Sequence, residues 1–163
     1  MSGLGRLRRH LNVRAHYGAQ RKESERVKYM ILLYGSQQDY DAMSGRASDK
    51  PAWSPQEFAG MGAFMNAFNK AIVDSGELVE TRGLTAPVHA RRIQLQNGAP
   101  VVTDGPYAET QEVLAGYWIV DCDSFDRATE IATGLSNCPG PAYASASVID
   151  VRPIAESRDE LDI

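Results

Sequence analysis

The chain has 163 residues, 43% of them hydrophobic, and a formal net charge of −4, which suits one globular domain with a real core. No apolar run approaches the ~20 residues of a membrane span. Two cysteines, Cys122 and Cys138, exclude a disulfide scaffold, and three histidines, at 10, 16 and 89, argue against an all-protein zinc cage. Composition points to a soluble cytoplasmic protein and names no function.

The charge divides the chain. Residues 1–27 hold seven basic and two acidic side chains, and the remainder holds ten basic and nineteen acidic ones. A basic arm on an acidic body can touch nucleic acid or an anionic membrane. Here aromatic interleaving stops at Tyr17, and the arm has no apolar stretch for a secretory signal. Residues 1–27 therefore read as a disordered basic arm, with nucleic acid disfavoured as a partner and no membrane expected. The arm also invites a reading at the gene level. Val27 can be a GUG start, and the Lys22-Glu23 codons can spell a ribosome-binding purine run, so residues 1–26 read as translated leader. The competing readings are a basic extension that binds an acidic partner and an organellar transit peptide. The folded domain is expected over 28–153, followed by a charged solvated tail, 154–163.

Tyr29-Met30-Ile31-Leu32-Leu33-Tyr34 is a continuous apolar run stopped by Gly35, the pattern of a strand buried on both faces. Residues 36–53 read as loop. Ser54-Pro55-Gln56-Glu57 opens a helix, with a serine cap, proline at the first position and the capping-box acid. Phe58, Met61, Met65, Phe68 and Ile72 follow on one helical stripe, and Gly76 stops the helix. A strand is expected over 78–84. Another is expected over 91–96, half-buried with Ile93 and Leu95 on one face; it turns at Asn97-Gly98 and returns over 99–103. Residues 114–121 form a strand with Tyr117-Trp118-Ile119-Val120 apolar on both faces. A second helix starts near Asp123-Ser124, with Phe125, Ala128, Ile131, Ala132 and Leu135 inward, and Pro139-Gly140-Pro141 ends it. Residues 147–151 form the last strand, ended by Pro153.

This order predicts an α+β fold: a ferredoxin-like antiparallel sheet with helices on one face and an extra β-hairpin. Helices can cover only one face of strands that are apolar on both. The other face then needs a cover, and a second subunit packed sheet to sheet supplies it, giving a homodimer.

The segment Asp104-Gly105-Pro106-Tyr107-Ala108-Glu109-Thr110-Gln111-Glu112 follows the hairpin directly. It resembles the DGPF subgroup of the YCII-related family, whose members carry Asp-Gly-Pro-Phe-Ala-Glu-Thr-Lys-Glu before a Gly-aromatic strand. This chain departs at Tyr107 and Gln111. Lys28-Tyr29-Met30, Gly116-Tyr117 and Val151-Arg152-Pro153 extend the match over 28–153. The resemblance implies a dimeric α+β barrel. It also implies a pocket where an acidic residue and a histidine meet, and an association of some members with sigma factors of the extracytoplasmic-function type.

The residues themselves make Asp104 the lead candidate. A loop Asp commonly accepts the N–H two residues on, but Pro106 has none. Asp104 then either caps a wider turn or keeps a free carboxylate for a ligand or a proton. Gly105 supplies backbone freedom and Pro106 rigidity. Tyr107 packs as the Phe would, with its hydroxyl reaching a partner. Glu109 and Glu112 share a face only if the segment makes a helical turn. The family places its histidine in or near the first helix, where this chain has none; Asn66 and Asn69 cannot replace a titrating imidazole. His89, at the outer end of the hairpin, is left to approach Asp104 or to be an ordinary exposed histidine.

Cys122 and Cys138 read as buried or half-buried thiols. No metal ligands and no cofactor are expected. Two functions stand. One is a small-molecule enzyme with Asp104 as general acid/base, assisted by His89 or Tyr107, and Gly105, Pro106, Tyr107 and Glu109 around the ligand. The other is a non-catalytic ligand-binding or regulatory dimer linked to such a sigma factor.

Overall fold

A computed structural model describes residues 26–47, 49–105, 108, 111–144 and 148–161. The expected basic arm lies outside the described residues except for Arg26 and Val27. The first apolar run is strand β1, Val27–Gly35. It occupies an inner position of a four-stranded sheet of order β2-β5-β1-β6, where β2 is Leu78–Gly83, β5 is Val113–Cys122 and β6 is Ile149–Pro153. Every pairing is antiparallel. With the hairpin set aside, this is the strand order of the ferredoxin-like split βαβ fold.

Helix α2, Pro55–Asp74, begins as the sequence dictates. Ser54 Oγ accepts from the Glu57 N–H and Glu57 Oε2 accepts from the Ser54 N–H at 2.7 Å. Gly76, at φ 71°, lets the chain turn back into β2. Helix α3, Phe125–Gly134, is capped by Ser124. Both helices lie on one side of the sheet. Tyr29 and Ile31 of β1, Trp118, Val120 and Cys122 of β5, Ile72 of α2 and Ala128, Ile131 and Ala132 of α3 form the core. Each large apolar side chain removed from water there contributes about 1.5–3 kcal/mol. Trp118 seats its ring edge against Phe68 and donates its indole N–H to Asn69 Oδ1 at 2.8 Å, so Asn69 satisfies a buried donor.

Several expectations need correction. Residues 36–53 are not all loop: α1, Gln37–Met43, sits there, with Ser36 and Asp39 in a reciprocal capping box. Phe58 and Phe125 are not inward; both are exposed at the first turns of their helices, resting on Trp53 and Tyr29. Phe64, off the expected stripe, packs on the core instead. β6 is shifted two residues along, because pairing Ile149 with Leu33 puts Ile149 and Val151 on the core side. As an edge strand it tolerates Pro153 at its end. The expected tail closes in an exposed 3-10 turn, Arg158–Leu161.

A partly buried ion pair ties the α2–β2 corner to α3. Glu77 takes both Arg127 Nε and Nη2 at 2.8 Å and the Ser75 hydroxyl at 2.6 Å. The Arg127 guanidinium, ahead of the opposing effect of burial, holds the Glu77 carboxyl down at about 2.

The second face of the sheet carries Met30, Leu32 and Tyr34 beside Ile119 and Tyr117, all half-buried. Charged rows border it: Glu80 and Arg82 on β2, Asp150 and Arg152 on β6. The Tyr117 hydroxyl donates to Glu80 and the Tyr34 hydroxyl to Asp150. The sheet of one chain is open and does not close into a barrel.

The hairpin is a separate two-stranded sheet, β3 (Arg91–Gln96) with β4 (Ala99–Asp104). Asn97 at φ 51° and Gly98 at φ 81° make the tight turn that the dipeptide announces. Its expected half-burial is not met among the described residues: Ile93 is 67% and Leu95 78% exposed.

Candidate functional site at the foot of the hairpin

Asp104 ends β4 opposite Arg91, which begins β3. Arg91 Nε donates to Asp104 Oδ1 at 2.7 Å, and both side chains are exposed. Among the described residues, the Asp104 carboxylate accepts no backbone N–H. Its Oδ2 carries no hydrogen bond there. A guanidinium thus holds one carboxylate oxygen, and the wider turn cap through residues 106 and 107 lies outside the described residues.

Gly105 closes the foot. Its N–H donates to the Ala90 carbonyl at 2.9 Å, and its φ is 51°. A Cβ at this position would come within 3.2 Å of the Val88 carbonyl oxygen, so backbone freedom and close approach both select glycine. Residues 84–90 pass beneath the hairpin and are pinned from three sides. The Tyr40 hydroxyl donates to the Leu84 carbonyl at 2.9 Å, the Gln37 side-chain oxygen accepts the Val88 N–H at 2.8 Å, and the Leu84 N–H donates to the Ala115 carbonyl. Burial pushes the Tyr40 phenol up, which keeps it a donor.

These constraints leave an open groove of about 310 Å³, lined by residues 84–87, Ala90, Val113 and Leu114. The lining is mostly apolar. Ala90 adjoins Arg91 in sequence and receives Gly105 in space, so the Arg91–Asp104 pair stands at the edge of the groove. The arrangement can hold a small apolar body while presenting a guanidinium and a carboxylate oxygen to its polar end.

The other expected residues fall differently. His89 ends a 3-10 turn, Pro87–His89; it is exposed and its side chain makes no hydrogen bond among the described residues. The cross-strand neighbour of Asp104 is Arg91, not His89. Pro106, Tyr107 and Glu109 lie outside the described residues. Cys122 is buried at the far end of β5 and Cys138 is half-buried after α3, and burial pushes both thiols up. Among the described residues, no group of three or more His, Cys, Asp or Glu is placed to hold a metal ion, and no helix is long and apolar enough to cross a membrane.

Sequence reasoning missed Arg91, Gln37 and Tyr40. The signal for Arg91 was the register: counting outward from a two-residue turn at 97–98 pairs 91 with 104 and leaves 89 opposite 106. The signal for α1 was Ser36-x-x-Asp39, the same cap-and-acid spacing that was recognised at Ser54.

Residues 27–156 match the model of the YCII-related domain. The chain is also 35% identical over 127 residues to an uncharacterised protein, R00369, of Rhizobium meliloti (strain 1021), an alignment that covers 78% of this chain and 91% of that one.

Proposed function

The chain belongs to the YCII-related domain family, and from that premise and the geometry at the hairpin foot we propose that it is a small-molecule-binding protein. The ligand sits with its apolar part in the groove and its polar end against Arg91 and Asp104. The observation that carries this reading is an apolar groove whose lining residue Ala90 adjoins Arg91, with an Asp104 carboxylate that has one oxygen unengaged among the described residues. In an enzymatic role, Asp104 Oδ2 is the atom that moves a proton, and a catalytic base must reach its substrate within hydrogen-bond distance, so the substrate would have to extend past Ala90 toward Asp104. The position of His89 favours the binding-only form of the same reading, because Arg91 and not His89 stands across the hairpin from Asp104.

The acting unit is a homodimer joined through the second face of the sheet. Its support is the stripe of Met30, Leu32, Tyr34, Tyr117 and Ile119, which neither α2 nor α3 covers. Light scattering at micromolar concentration is expected to give twice the chain mass, and Leu32→Asp to reduce it to one.

A thermal-shift screen with small carboxylates, phenols and amides tests the binding reading. Hits should lose their shift in Leu114→Trp, which fills the groove. In an enzyme, Asp104→Asn abolishes turnover while retaining binding. Hits whose shift survives Leu114→Trp unchanged would place the ligand elsewhere and overturn the groove as the site.

A further inference from the structure

The hairpin has two unlike faces. Residues directly opposite each other share a face. Ile93 pairs with Val102 and Leu95 with Pro100, so one face is an apolar strip that runs from the Arg91–Asp104 ion pair toward the tip. Ile93, Leu95 and Val102 are 67%, 78% and 53% exposed. The reverse face carries Arg92, Gln94, Gln96 and Thr103 beside Ala99 and Val101. The hairpin joins its own chain at the foot, through the Gly105 N–H on the Ala90 carbonyl and the pinned 84–90 segment. A lone two-stranded hairpin is marginal in water, and an uncovered apolar strip along it makes it a binding element.

We propose that the hairpin is an arm whose Ile93–Leu95–Pro100–Val102 face lies on a second copy of this chain. The proposal rests on the homodimer reading above and adds to it which segment crosses between the copies. Size argues for a second copy as the occupant. Four strands ~4.8 Å apart and about five residues long present a sheet face of roughly 300 Å². A stable interface needs about 800 Å² on each partner. Sheet-to-sheet contact alone falls well short. An arm of two six-residue strands adds roughly 200 Å² of its own, which lifts each side to about 500 Å² in flat outline, and accessible area exceeds flat outline because side chains stand out of the sheet. Two apolar surfaces left uncovered by the described residues, the sheet face and the arm, are then used in one association. A two-fold axis makes the exchange reciprocal.

The arm grows out of the groove's edge. Its docking on the second copy therefore fixes the strand ends that hold Arg91 and Asp104, and couples the site to assembly.

The test uses the full chain. p-Benzoylphenylalanine at position 95 is irradiated in the purified protein, and the dissociation constants of wild type, Leu95→Asp and Gln94→Asp are measured by analytical ultracentrifugation, with circular dichroism to confirm folding. Expected are a covalent dimer on a denaturing gel, dissociation constants raised at least tenfold by Leu95→Asp, and no change for Gln94→Asp on the reverse face. A wild-type dimer with only intrachain crosslinks and an unaltered Leu95→Asp constant overturns the arm and leaves the sheet-face dimer standing. A wild-type monomer overturns both.

Discussion

Ile31, in the continuous apolar run of β1, is wholly buried, whereas Ile93, in the alternating strand β3, is 67% exposed. β1 has strands on both edges and two helices laid across one face. Among the described residues β3 is paired only with β4. An isoleucine thus joins a core in one sheet and stands on an exposed face in the other. The alternation says which residues share a face; it does not say what covers the face. The functional candidates gather where the two regions meet, because the foot of the hairpin is where a rigid sheet end supports strands that are otherwise loosely tied.

The contrast can be broken most directly by paired truncation. Ile31→Ala should cost about 3 kcal/mol in urea unfolding, through lost burial and a cavity. Ile93→Ala, measured at a concentration dilute enough to keep the chain monomeric, should stay within about 0.5 kcal/mol. Equal losses at the two positions would show that the hairpin is covered within its own chain.

Next in size is the Glu77–Arg127 pair, which exists only in the helix-covered region. Glu77→Gln should cost roughly 2 kcal/mol at pH 7, below the 3–5 kcal/mol of a fully buried pair because Arg127 is 41% exposed. The Glu77 carboxyl is lowered from 4.5 to about 2 in the folded chain. Its contribution is therefore fully present above pH 4.5 and is lost as pH falls toward 2. Urea midpoints of wild type and Glu77→Gln should converge across that window. A gap that stays constant from pH 7 to pH 3 would assign the loss to packing rather than to charge.

At the junction, Gly105→Ala should destabilise the foot by about 1–2 kcal/mol, because an L-residue at this positive φ is strained and its Cβ crowds Val88. The effect is local, so hydrogen exchange should accelerate at the hairpin amides and not in β1 or β5. Smallest is Asp104→Asn: with both partners of its ion pair exposed, the urea midpoint should not move. A clear loss there would make Asp104 a structural residue and weaken its claim on a ligand.

The elements whose signals are local were legible from the sequence. Ser54-Pro55-Gln56-Glu57 fixed the start of α2, Gly76 its end, and Asn97-Gly98 the hairpin turn, because caps and tight turns are decided by residues within a few positions of one another. The apolar runs of β1 and β5 placed them inside the sheet for the same kind of reason. The short helix α1 escaped notice because seven residues carry too little apolar periodicity to outweigh a polar, glycine-containing stretch.

What the tertiary structure alone decided was partnership. The sequence could nominate Asp104, but whether its carboxylate met a backbone N–H, His89 or Arg91 depended on strand register and on the path of residues 84–90 beneath the hairpin. It could align Phe58 with the α2 stripe, but the end of the sheet left that first turn uncovered. It could pair Ile93 with Leu95 on one face, but only the arrangement of the helices left both exposed among the described residues. Periodicity is a property of the chain. Burial and ion pairing belong to surfaces brought together from distant positions, and those contacts exist only once the sheet is assembled.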